Sequence, residues 1–163
     1  HPAEAHGLVM SLIDASFRNL AGPPSFESCT RDVYPAEKRF DLGAVLRIAH
    51  GIAAAAEHLH AQGIMHGDLY AHNILHCDEG NALLGDFGAA SFFAPEDWAT
   101  AEALQRIEVR AFGCLLEELV AACIDADRAS PALQLLTALQ ARCLADSPAS
   151  RPLFAEVVQA LAG

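Results

Sequence analysis

The sequence predicts a mainly helical lobe, a helical bundle with a small β-hairpin at one edge, and three observations carry that prediction. Apolar residues recur at helical spacing from Leu42 to Leu59 and again over most of the chain after Glu102. Between these stretches the period shortens, and two brief runs, Asn73-Ile74-Leu75 and Ala82-Leu83-Leu84, flank the turn-prone Asp78-Glu79-Gly80-Asn81. With 53 % hydrophobic and 19 % charged residues, the 163-residue chain has the make-up of one globular domain, not of a disordered segment.

Taken in order, His6 to Ile13 is a short apolar run suited to a buried strand, and residues 1–13 are read as one strand-bearing unit. Residues 14–40 are polar and contain prolines, which marks a linker or insertion. The helical lobe then occupies 41–163. Asp41 is placed to cap a helix whose stripe is Leu42, Val45, Leu46, Ala49, Ile52, Ala53, Ala56 and Leu59, with Gly63 as its stop. After the hairpin, helical spacing runs through Leu104, Ile107, Phe112, Leu115, Leu116 and Leu119, then through Leu133, Leu136, Leu139 and Cys143. A last helix carries Phe154, Val157, Val158 and Leu161, with Pro152 expected in its first turn, where a missing N–H costs little.

The net charge of −11 argues against non-specific binding to nucleic acid or to an anionic membrane, because the long-range field repels phosphate. No apolar run approaches the roughly 18 to 20 residues that span a bilayer, since Ile52 to Ala56 is bracketed by His50 and Glu57. The chain opens on His1 with no leader-like segment, so a fragment or processed piece is expected. Five cysteines without a C-x-x-C pair read as reduced thiols of a cytoplasmic protein. His58, His60, His66, His72 and His76 lack the cysteine or carboxylate companions of a zinc site, so structural or loop roles are expected.

The densest chemical signal is His66-Gly67-Asp68-Leu69-Tyr70-Ala71-His72-Asn73, followed thirteen positions after Asn73 by Asp86-Phe87-Gly88. This pair resembles the catalytic loop and metal motif of protein kinases. Downstream, Glu108 to Gly113 is similar to the opening of the large buried helix whose acid pins the catalytic-loop backbone in that family. Ala94-Pro95-Glu96 is similar to the motif that closes the activation segment, and Arg142 to Pro152 to the segment whose arginine pairs with its glutamate. The resemblance runs from about Leu8 to the last helix.

It implies a protein-kinase-like C-terminal lobe, with the hairpin at the cleft and the N-terminal lobe absent from this chain. Phosphoryl transfer needs a carboxylate to orient the attacking hydroxyl and accept its proton, and Asp68 stands at that position. Asn73 and Asp86 stand where the family places hard oxygen ligands for Mg²⁺. Backbone groups at Ser11 and Leu12 would face the adenine of ATP, with Leu75 as the apolar floor beneath it. His66 would prop the loop, and Glu96 and Arg151 would form a buried ion pair.

The sequence also departs from the family. Gly67 replaces the usual arginine, and only Ala89 to Phe93 separate the metal motif from Ala94-Pro95-Glu96. Tyr70 and His72 occupy positions where serine/threonine and tyrosine kinases respectively keep a basic residue. The glycine-rich loop and its lysine have no counterpart, so the fragment alone is expected to be inactive. The leading expectation is an ATP-dependent protein kinase of bacterial type acting on a protein hydroxyl. The alternatives are a pseudokinase serving as a binding or scaffolding module, and a small-molecule kinase of the aminoglycoside or choline type.

Overall fold

The computed structural model describes residues 10–28, 31–124 and 129–162. Among the described residues the lobe has four α-helices and two small antiparallel sheets: β1 (Arg18–Asn19), α1 (Leu42–Ala61), β2 (Ile64–Met65), β3 (Ile74–His76), β4 (Ala82–Leu84), β5 (Ser91–Phe92), α2 (Trp98–Ala122), α3 (Pro131–Cys143) and α4 (Phe154–Leu161).

Helix α1 begins where the sequence expects it, with the Asp41 carboxylate accepting the Ala44 N–H at 2.7 Å. Its stop is Gly63, whose φ of 70° turns the chain sharply into β2. One face of α1, including Val45, Ile48, Ile52 and Ala56, is fully buried against α2 and α4. Phe112 of α2 and Phe154 of α4 meet edge to face beside it, with centroids 5.4 Å apart.

Helix α2 starts at Trp98, ahead of the expected point, because Asp97 caps it by accepting the Thr100 N–H. The expected apolar stripe fails at Ile107, which is 57 % exposed, while the neighbouring Glu108 is buried. That face of the helix is turned toward polar backbone. The last helix begins at Phe154, so Pro152 lies ahead of the helix and not in its first turn.

The hairpin forms as expected: β3 pairs with β4 in the register Ile74↔Leu84, Leu75↔Leu83 and His76↔Ala82. On its other edge β3 pairs with β1, Arg18↔His76 and Asn19↔Leu75. Residues 14–40 are therefore more than a linker. Leu20 and Ala21 are buried there, Gly22 and Val33 exchange backbone hydrogen bonds at 2.8 and 3.0 Å, and Phe40 bridges to the end of α2. Of the strand expected over His6–Ile13, residues 6–9 lie outside the described residues, and residues 10–13 are exposed and form no strand.

Candidate functional site

The loop from His66 to Asn73 connects β2 to β3, and a single carboxylate fixes its start. Glu108 is buried on α2 and accepts the backbone N–H of Gly67 at 2.7 Å, that of His66 at 3.2 Å and the ring Nε2 of His60 at 2.7 Å. Burial by itself raises the pKa of such a carboxyl, but the His60 hydrogen bond and the two loop amides together outweigh it and hold Glu108 below the usual glutamate range.

His66 is fully buried and acts as a brace. Its Nδ1 accepts the Asp68 N–H at 3.3 Å, so the hydrogen resides on Nε2, which donates to the Gly85 carbonyl at 2.8 Å. The ring of Phe87 packs edge-on at 4.9 Å. One side chain thus spans the catalytic-loop sequence and the residues just before and after Asp86.

Asp68 is half-buried. Asn73 directs its side-chain amide at it, donating to the Asp68 carbonyl at 2.9 Å and to Oδ2 at 2.8 Å. With Nδ2 committed to Asp68, Oδ1 is the atom of Asn73 left to bind a hard cation. The Gly85 N–H, one residue before Asp86, donates to the Asn73 carbonyl at 2.8 Å. Asp86 is exposed and sits at φ 53°, and its carboxylate accepts the Gly88 N–H at 3.1 Å. A left-handed aspartate is uncommon outside sites that need its side chain aimed out of the chain direction.

An oxygen pair of this kind suits Mg²⁺, which takes one or two protein donors and completes its shell with water and phosphate. Among the described residues no group of three or more His, Cys, Asp or Glu side chains is arranged to hold a metal alone. Leu75 is half-buried in the middle of β3, between Asn19 and Leu83. Ser11 and Leu12 are both exposed, Leu12 at 99 %, so no strand forms at the expected adenine edge.

The segment after Asp86 is short and tied down. Following a turn at Phe87–Ala89, β5 pairs with β2, Ile64↔Phe92 and Met65↔Ser91, and the Phe93 N–H donates to the Gly63 carbonyl at 2.8 Å. Gly67 has φ 80°, and a β-carbon there would fall well inside van der Waals contact of the Ala89 carbonyl. A side chain at position 67 is therefore incompatible with the present course of the segment through Ala89.

The expected Glu96–Arg151 pair does not form. Arg151 is buried and donates to the carbonyls of Ala145 at 2.8 Å, Arg106 at 3.2 Å and Asp146 at 3.3 Å, while Glu96 lies exposed ahead of α2. Three carbonyls engage all three guanidinium nitrogens, in the place of the expected carboxylate.

One residue at the site has no signal in the sequence. Asp32, in the segment between β1 and α1, accepts the His72 N–H at 3.0 Å and the His72 ring Nδ1 at 2.8 Å. No motif or spacing connects positions forty residues apart.

Comparison with known proteins agrees with this geometry. A family profile described as protein kinase domain matches residues 25–123, and the chain belongs to that family. The serine/threonine/tyrosine-protein kinase HT1 of Arabidopsis thaliana is 27 % identical over 152 residues, covering 72 % of this chain and 39 % of that protein. The mouse serine/threonine-protein kinase TNNI3K is 42 % identical over 59 residues, 35 % of this chain and 7 % of that protein. The matches thus span well under half the length of these relatives. Among solved structures, a divergent kinase lacking the glycine-rich loop, which regulates membrane ultrastructure of the Toxoplasma parasitophorous vacuole, shares the fold. Its TM-score is 0.57 at 23 % identity, over 71 % of this chain and 41 % of that one.

Proposed function

We propose that this chain is the catalytic-loop lobe, 41–163 with its preceding segments, of an ATP- and Mg²⁺-dependent protein kinase. The observation that supports the reading is the Asn73 amide on Asp68, with the Gly85 N–H bonded to the Asn73 carbonyl one residue before Asp86, since Asp68, Asn73 and Asp86 are the oxygen-bearing side chains the chemistry requires. Asp68 orients the acceptor hydroxyl and takes its proton as the hydroxyl oxygen bonds to the γ-phosphorus of ATP and the bond to the bridging oxygen breaks, releasing ADP. Asn73 Oδ1 and Asp86 would hold Mg²⁺, which supplies charge neutralisation at the phosphates when bound. Leu75 is proposed as the floor under the base, and Ser11 and Leu12 as its edge contacts once a partner lobe orders that segment.

The acceptor is proposed to be a protein side chain. The Glu108 to Gly113 and Arg142 to Pro152 elements resemble those of protein kinases more than aminoglycoside or choline kinases. Location in the cytoplasm is proposed on the demand for ATP and the unpaired thiols of Cys77 and Cys143. A pseudokinase module is the second reading, favoured by the five-residue span from Ala89 to Phe93, which provides no ledge for a peptide.

The deciding experiment is transfer of labelled phosphate from ATP by the full-length protein, to itself or a generic protein. Asp68→Asn is expected to lower the rate by on the order of 10² or more. Asp86→Ala is expected to abolish Mg-dependent nucleotide binding. Transfer that survives Asp68→Asn removes the assignment of the base, and wild-type nucleotide binding without transfer selects the pseudokinase.

A further inference from the structure

We infer that Asp32 is a positioning residue of the phosphotransfer site, gripping the catalytic loop at His72 and thereby holding Asp68 and Asn73 in register; this rests on the reading of Asp68 as the acceptor-facing base. Asp32 belongs to none of the motifs that identify the loop.

The Asp32 side chain is 1 % exposed, and a carboxylate withdrawn from water is costly unless its oxygens are engaged. Here both are spent on one residue: Oδ2 on the His72 backbone N–H and Oδ1 on ring Nδ1. A carboxylate only accepts, so Nδ1 carries a hydrogen and the ring is locked in one orientation. That orientation brings Nε2 to 3.9 Å from Asp68 Oδ2. The Tyr70 ring stacks on the imidazole at 6.0 Å with 17° between planes, which covers its other side.

The grip acts on the turn that sets the site. His72 is the middle residue of the single 3-10 turn Ala71–Asn73, and Asn73, the next residue, holds Asp68 through its amide. A displacement of His72 therefore passes directly to the Asn73–Asp68 bond.

Asp32 is itself held from both sides. Arg31 pairs with Glu117 at 2.7 Å and Glu118 at 3.1 Å, and the Tyr34 hydroxyl donates to Glu118 at 3.1 Å. Val33 is bound to Gly22 through two backbone hydrogen bonds. The short segment 31–34 is thus anchored on α2 and reaches the loop with a single carboxylate. Since Tyr70 is 38 % exposed and the Asp68 side chain 39 % exposed, the loop's outer face has little other packing to fix it.

The test measures kcat, KM for ATP and melting temperature in the full-length protein for Asp32→Ala, Asp32→Asn, His72→Ala and the double variant Asp32→Ala/His72→Ala. Misplacement of a reacting group by about 1 Å costs roughly 10²-fold in rate, so Asp32→Ala should lower kcat by about 10- to 100-fold with KM for ATP unchanged. In the His72→Ala background the same substitution should cost clearly less than it does alone, because the imidazole half of the grip is already gone and only the backbone N–H at position 72 remains for Asp32 to hold. Asp32→Asn, which retains one acceptor oxygen, should fall between and preserves the comparison if Asp32→Ala does not fold. Wild-type kcat in both Asp32 variants, or full additivity with His72→Ala, overturns the inference.

Hydrogen exchange at the His72 and Asn73 amides separates this failure from failure of the kinase reading. If the wild-type protein transfers no phosphate, the kinase reading falls, and faster exchange at both amides in Asp32→Ala still upholds the grip. Unchanged exchange overturns it whatever the activity.

Discussion

Gly67 passes beneath Ala89 at a separation that leaves no room for a β-carbon, and its φ of 80° is one that other residues adopt only with strain. Gly67→Ala should therefore destabilise by about 1–2 kcal/mol from the dihedral alone, with steric displacement of the Ala89 turn added. A fall in melting temperature of at least about 3 °C is expected. Unchanged melting would show that the Ala89 turn yields freely and that the missing arginine has another cause.

Glu108 gives a stability that depends on pH in a defined direction. Its carboxyl lies below the ordinary glutamate value of 4.5 in the folded chain, because the hydrogen bonds from His60 and the loop amides outweigh the opposing effect of burial. A depressed folded value means that the contribution is complete above about pH 4.5 and is lost as pH falls through the lower, folded value. Denaturant unfolding between pH 3 and 6 should show wild type losing stability toward acid more steeply than Glu108→Gln. Parallel curves would remove Glu108 from the acid response. At neutral pH, Glu108→Ala leaves the His66 and Gly67 amides without their acceptor and should cost about 1–3 kcal/mol for each that water does not reach.

Arg151 and Glu96 should behave independently. Arg151→Ala leaves the carbonyls of Ala145, Arg106 and Asp146 without their donor, at a cost of about 1–3 kcal/mol for each carbonyl that water does not reach. Glu96→Ala removes an exposed side chain and should leave the melting temperature within the roughly ±0.5 kcal/mol typical of surface changes. Equal losses in the two variants would restore the ion pair that the family resemblance implied.

The parts of this lobe that were legible in the sequence are those set by local chemistry. Asp41 and Gly63 bounded α1, and the turn residues Asp78 to Asn81 centred the hairpin, since caps and turns act over a few residues. The bond between Asn73 and Asp68 joins two residues that the loop motif already sets five positions apart. What escaped was decided by distant partners. The strands β1 and β5 are two residues each and exist through pairing with β3 and β2, and no periodicity marks so short a run. Ile107, which its spacing put on the apolar stripe, is exposed because the inward position on that turn of α2 belongs to Glu108 and the loop amides it binds.

The pairing of β5 with β2 bears on the energetics of any ligand that docks beside the loop. A segment that alternates between ordered and disordered forms reduces apparent affinity by the fraction of molecules in the competent form. Here Ser91 and Phe92 are held in a ladder with Met65 and Ile64, and Phe93 is bonded to Gly63, without any added phosphate. A ligand docking at this edge of the lobe therefore meets a segment that the chain's own backbone already pairs.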